Sequence, residues 1–209
     1  MDFLTDPRVI EARSMEIIDG LLGGTTWPEK ERSIIKRIVH TTGDAGYARL
    51  VEVHPRAIDA ALSALGAGKK IIADVQMVKA GISPRKVAEL GSEVVCAIDE
   101  PVVVREAEKT GLTRAMLAIR RLAGAISGNI VVIGNAPTAL FELMRLIEEA
   151  RKAGQPEPAV VIATPVGFVG AEEAKRLLAQ MDLPYITVHG TRGGSTIAAC
   201  IINALLYML

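Results

Sequence analysis

The spacing of hydrophobic and polar positions changes near residue 48. Before it, apolar residues recur at helical intervals. Val9, Ile10, Met15, Ile17, Ile18 and Leu21 form one such set, opened by Asp6 and Pro7 and closed by Gly23-Gly24. Aspartate is a favoured N-cap and proline fits the first helical position, so a helix is predicted there. A second helix is predicted from Pro28 to a stop at Gly43, with Ile34, Ile35, Ile38 and Val39 on its apolar face and His40 in its last turn.

Beyond residue 48 short β-branched runs take over: ARLVEV, KKIIADV, EVVCAI, NIVVIGN, AVVIAT and YITVHG, each followed by a Gly, Pro or Asn turn and an amphipathic stretch. This alternation predicts an α/β fold, an open and mainly parallel sheet with helices on both faces, preceded by an N-terminal helical segment. In such sheets the ligand crevice lies beyond the carboxyl ends of the strands. No repeat or linker interrupts the pattern, and residues 1–209 are expected to form a single domain, a length that one core can serve. The last apolar run, Thr196 to Leu209, is about 14 residues long. That is short of the ~20 a membrane span needs, so a buried helix is expected.

Composition narrows the function classes. Half the residues are hydrophobic but only 3% are aromatic, so Ala, Val, Ile and Leu must fill the core, as they do in parallel sheets. Basic and acidic residues balance at 24 each, which argues against a global field that would gather nucleic acid or an anionic membrane. The N-terminus lacks the apolar core of a signal peptide, and Cys96 and Cys200 lack metal-ligand spacing. A cytoplasmic protein with reduced, buried thiols and no protein-bound metal is expected.

Three strands end in small-residue loops followed at once by a helix: Gly134-Asn135-Ala136-Pro137-Thr138-Ala139, Pro165 to Gly170, and Gly190 to Ser195. Glycines let backbone N–H groups approach a ligand and a helix N-terminus favours anions, so these loops suit carboxylates or phosphates. The nucleotide motifs G-x-G-x-x-G and G-x-x-x-x-G-K-[ST] are absent, which argues against a dinucleotide, flavin or ATP protein. His40 near a helix C-terminus is a candidate proton donor, because the dipole there favours imidazolium; Asp44 would orient its ring if the helix persists that far. Arg13, Arg37, Arg114 and Arg192 are placed at element ends or in loops, and their planar forks suit a polycarboxylate, with about two of the four expected to touch ligand. His54 and His189 are read as structural, Asp74 as a cap for the helix after it, and Met77 as a core residue.

Taken in order, Ala12-Arg13-Ser14-Met15, Arg37-Ile38-Val39-His40, Asp74 to Val78, Thr113-Arg114, the GNAPTALF block at Gly134, the PVGFVGA block at Pro165 and Arg192-Gly193-Gly194-Ser195 resemble the precorrin-8X and cobalt-precorrin-8 methylmutases. The resemblance spans nearly the whole chain; Gln76 departs from it where some relatives carry an acidic residue. It implies a flavodoxin-like fold and a homodimer with a tetrapyrrole polycarboxylate near the subunit interface. The implied reaction moves a methyl group from C-11 to C-12 of the macrocycle, giving hydrogenobyrinate or, for the cobalt form, cobyrinate. On this sequence it implies His40 as the catalytic histidine, with Ser14 and Arg37 binding substrate. Arg13, Thr113, Arg114, Asn135, Ala136, Thr138, Gly167, Arg192, Gly193 and Ser195 match by motif as further contacts. No cofactor is implied, since any cobalt belongs to the substrate. A non-catalytic corrinoid carrier would use the same pocket, and replacing His40 separates the two.

Overall fold

The computed structural model describes residues 3–24 and 26–209. Asp6 accepts a hydrogen bond from the Arg8 N–H at 2.9 Å and Pro7 opens helix α1 (Pro7–Leu22), as the capping pattern predicts. Helix α2 (Glu29–Thr42) follows and ends where Gly43 turns left-handed at φ 67°. A 3-10 turn, Ala45–Arg49, leads into strand β1 (Val51–Val53). The chain then runs through α3 (Ala57–Gly66), β2 (Ile71–Ala73), α4 (Gln76–Gly81), α5 (Pro84–Glu89) and β3 (Val94–Val95). It continues through α6 (Pro101–Thr110), α7 (Arg114–Arg121), β4 (Ile130–Ile133), α8 (Pro137–Lys152), β5 (Val160–Ala163), α9 (Ala171–Leu178), β6 (Tyr185–Val188) and α10 (Ser195–Leu206).

Each predicted strand is present, and they form one sheet in the order β1-β6-β5-β4-β2-β3. The pairs from β6 through to β3 are parallel, but β1 runs antiparallel to β6, with Val51 opposite Val188. Alternation of side chains reports burial and not strand direction, so an antiparallel edge on a parallel sheet leaves no mark in the pattern. Neighbouring strand residues feed opposite faces. Ile71, Ala73, Ile130, Val132, Ile162 and Ile186 pack toward α2, α3, α4 and α10 on the front face. Ile72, Val131, Ile133, Val161 and Ala163 pack toward α7, α8 and α9 behind.

Helix α10 is the expected buried helix, packed against both α2 and α4. Ile197, Ile201, Ile202 and Leu205 are buried along it, each stabilising the fold by about 1.5–3 kcal/mol. Helix α1 lies outside α2, with Ile18 and Leu22 buried against Ile35 and Val39. Its outer face is open: Ile10, Ser14, Ile17 and Leu21 follow the spacing of one helical side, and the three apolar members are exposed. The cysteines, expected to be buried, are free and half-buried.

Candidate active site

A cavity of about 530 Å³ opens on the front face between α2, α4 and α10. Helix α2 supplies Arg37, His40 and Thr41, α4 supplies Met77, α10 supplies Cys200, and Tyr207 follows just past the end of α10. His40 is exposed there, and among the described residues its imidazole has no hydrogen-bond or ion-pair partner. Arg37, one turn earlier, reaches back to Glu11 of α1 at 2.7 Å. Ser14 lies one turn after Glu11 on α1, its hydroxyl donating to the Ile10 carbonyl at 2.8 Å. A second cavity of about 270 Å³, lined by Met15, Lys36, Arg37 and Tyr207, adjoins the first across Arg37 and Tyr207. Burial pushes the Cys200 thiol up, against a hydrogen bond with Thr41 and the charge of Arg37.

Asp44 does not orient His40. Helix α2 stops at Thr42, and the Asp44 carboxylate caps the next turn through the Gly46 N–H at 2.7 Å. Its other oxygen accepts from Arg192 at 2.6 Å, and the Arg192 guanidinium lies 5.3 Å from the centre of the Tyr47 ring. Met77 is also displaced from its expected place: it is 68% exposed at the cavity, because α4 presents Val78 inward instead. Arg13 and Arg37 sit within helices rather than at their ends. Asn203 escaped the sequence reading as a site-building residue. It donates to the Gly81 carbonyl and accepts from the Ser83 N–H, both at 2.8 Å, pinning α10 to the far end of α4. Its signal was a lone amide in an apolar run.

The small-residue loops do gather at the carboxyl edge of the sheet, but many of their backbone donors are already spent. Asp74 is buried and accepts from Gly134 at 3.0 Å, Asn135 at 2.9 Å and Ala136 at 3.0 Å. It therefore caps the loop after the neighbouring strand β4, and not helix α4, whose N-cap Val75 has no side-chain bond. Burial raises the Asp74 carboxyl, and the three N–H bonds pull it back. The Gly167 N–H donates to Thr191 at 3.0 Å, and Gly194 to Thr164 at 2.7 Å. Gly193 lies at φ 155°, and a Cβ there would stand 2.3 Å from the Thr164 carbonyl oxygen, so only glycine fits. Ser195 is buried at the start of α10.

The remaining candidate residues are spread more widely. Thr113 caps α7 through the Met116 N–H and meets Thr138 at 2.7 Å, hydroxyl to hydroxyl, behind the sheet edge. Arg114 faces Asp99 at 3.6 Å. Arg13 pairs with Glu16 on the exposed side of α1. A single copy thus brings His40 and Arg37 into one cavity with Ser14 beside them, and leaves Arg13, Thr113 and Arg114 elsewhere. His54 accepts from the Arg56 N–H at 3.2 Å and His189 bonds Glu52, which also receives the Tyr185 hydroxyl at 2.6 Å. The two Glu52 contacts tie down the β1–β6 edge, whereas the His54 bond is local to the turn after β1. No three His, Cys, Asp or Glu side chains among the described residues are grouped to hold a metal ion.

A family profile described as Precorrin-8X methylmutase matches residues 9–208. The chain belongs to the precorrin-8X methylmutase family. A relative named cobalt-precorrin-8 methylmutase from Priestia megaterium is 39% identical, the alignment covering 98% of this chain and 92% of the relative. One named precorrin-8X methylmutase from a Sinorhizobium species is 34% identical over 98% of this chain and 96% of its own length. The solved precorrin-8x methyl mutase of Thermus thermophilus superposes with a TM-score of 0.86 at 36% identity, covering 96% of this chain and 95% of that one. Membership makes this chain an isomerase of cobalamin biosynthesis, with the α/β fold described above. No helix among the described residues is long and apolar enough to cross a membrane.

Proposed function

We propose that the chain moves a methyl group from C-11 to C-12 of precorrin-8X or cobalt-precorrin-8, yielding hydrogenobyrinate or cobyrinate, with His40 as general acid. The observation that carries this reading is His40 unpartnered in a cavity beside Arg37, in a chain of the methylmutase family. Migration requires electrons to be drawn from the carbon that receives the methyl group. A proton from the His40 imidazolium to the conjugated ring system does this, and the proton returns to His40 once the shift is complete. Such general acid catalysis contributes ~10²- to 10⁴-fold. No proton, electron or methyl group is gained overall, so neither a methyl donor nor a redox cofactor is required; cobalt, where present, is part of the substrate.

Arg37 holds a ring carboxylate, with Ser14 at the rim. Asn135, Ala136, Thr138, Gly167, Arg192, Gly193 and Ser195 line the carboxyl edge of the sheet, where the macrocycle's other substituents extend. Thr113 stays beside Thr138 of its own copy, whereas Arg13 and Arg114 join the site through a second copy of the chain, forming a homodimer. The exposed stripe of Ile10, Ile17 and Leu21 on α1 supports that arrangement, since an uncovered apolar helix face beside a cavity favours association. Ile17→Glu should convert a dimer to monomer in sedimentation velocity, and a wild-type chain that is monomeric would refute the arrangement. The whole chain acts as one domain around its single sheet, in the cytoplasm, where the free half-buried thiols stay reduced.

The test is an anaerobic absorbance time course with metal-free and cobalt-bearing precorrin-8, the product checked by NMR for its methyl on C-12. Conversion is expected, and preference for one form identifies the natural substrate. Spectral binding without conversion would replace the enzyme by a corrinoid carrier.

A further inference from the structure

Lys175 of α9 is fully buried, an uncommon state for a cation because the ammonium group surrenders its hydration. Burial lowers its pKa to about 8, opposed by Glu172 on the same helix, so the ammonium form still prevails at neutral pH. Its Nζ donates to one backbone carbonyl, that of Arg192, at 2.7 Å. That carbonyl belongs to the turn between β6 and α10, which is held at Thr191, Arg192 and Gly194. The Gly167 N–H holds the Thr191 carbonyl, Lys175 holds the Arg192 carbonyl, and Thr164 holds both polar groups of Gly194. Pinned in this way, the main chain directs the Arg192 side chain away from the turn to Asp44 and the ring of Tyr47. Asp44 engages one terminal nitrogen at 2.6 Å. A guanidinium carries five donors, so others stay available to a ligand. The side chain is about half exposed, and Thr196, four residues on, lines the cavity of His40.

We propose that Lys175 is a positioning residue for substrate binding: from beneath the carboxyl edge it fixes the main chain at Arg192, so that the guanidinium is held where it receives a carboxylate of the macrocycle. The inference rests on the methylmutase reading for the role of Arg192, but its geometric half stands apart from it. A lysine that merely filled the core would be replaceable by methionine, a similar apolar volume, without disturbing Arg192.

The experiment compares the full-length wild type, Lys175→Met, Arg192→Met and the double variant. Without substrate, the Arg192 Nε–H resonance should shift and broaden in Lys175→Met; an unchanged resonance overturns the proposal. With cobalt-precorrin-8 or its metal-free form, Lys175→Met should raise KM by about tenfold with kcat within about twofold, and the double variant should bind no worse than Arg192→Met alone. Additive losses, or a fall in kcat alone, would also overturn it while leaving the methylmutase reading intact. If folded wild type does not turn over, the methylmutase reading falls and the substrate half of the inference falls with it, the resonance still deciding whether Lys175 sets the guanidinium. Lys175→Gln, which keeps a neutral donor on a shorter arm, takes the same comparison should the methionine variant not fold.

Discussion

The groove on the front face and the loops along the carboxyl edge carry similar polar inventories but use them in opposite ways. In the groove, His40 has no partner among the described residues and Arg37 has an ion pair that is open to solvent on both sides. At the edge, Asp74 takes up three consecutive N–H groups, and Gly167 and Gly194 donate to carbonyls of their neighbours. Glycine-rich composition alone does not distinguish a loop that offers its donors from one that has spent them. Unspent hydrogen-bonding capacity in a cavity marks where a ligand acts, whereas spent capacity marks what holds the cavity in shape.

His40→Ala is the sharpest way to break the comparison. It should lower turnover by ~10²- to 10⁴-fold while retaining product binding, because the histidine supplies a proton and no structural contact. Near-normal turnover in the spectroscopic assay would remove the groove from the chemistry. Asp74→Ala should do the reverse. Losing the acceptor of three N–H groups at a buried turn should cost about 3 kcal/mol of stability, read from denaturant midpoints. A stable variant would show that the edge loops hold themselves without Asp74.

Local signals in the sequence account for much of the fold. The Asp6-Pro7 and Gly43 boundaries and the six β-branched runs are visible because capping and side-chain alternation act over a few residues. The direction of β1 is not, since alternation is identical for parallel and antiparallel pairing. The same limit applies to the site. Asp74 reaches a loop some sixty residues away, and Asp44 is drawn to Arg192 by an ion pair that bridges most of the chain. His40 and Arg37 stand out through family motifs. That three helices and not the edge loops wall their cavity depends on how α10 packs between α2 and α4, which no local pattern encodes.

The rear face supplies a smaller, pH-dependent contrast. Glu142 of α8 is 3% exposed and is held by Arg145 at 2.6 Å and Arg120 at 2.8 Å. These partners, Arg145 foremost, keep its carboxyl at about 2, below the ordinary value of 4.5. A depressed acid contributes stability that is fully present above about pH 4.5 and is lost as the pH falls toward about 2. With both arginines nearly half exposed, solvent screening reduces the contribution to about 2 kcal/mol. Glu142→Gln should flatten the stability profile across that acidic window in urea titrations, and an unchanged profile would mean that other carboxylates govern it.

Arg37→Lys gives the finest division between the two regions. Arg37 is a cavity residue with an internal partner, Glu11, and so stands between the unpaired His40 and the fully bonded Asp74. If it recognises a substrate carboxylate through its planar fork, lysine keeps the charge but loses the two-pronged contact. KM should then rise by about tenfold, equivalent to ~1.4 kcal/mol, with kcat little changed because the proton donor is untouched. The ion pair to Glu11 is exposed on both sides, and such pairs contribute only about 0–1 kcal/mol. A pair that weak yields to an incoming carboxylate, so the thermal midpoint should hardly move. A loss of stability without a change in KM would instead place Arg37 with Asp74, among the groups that shape the groove and take no part in its chemistry.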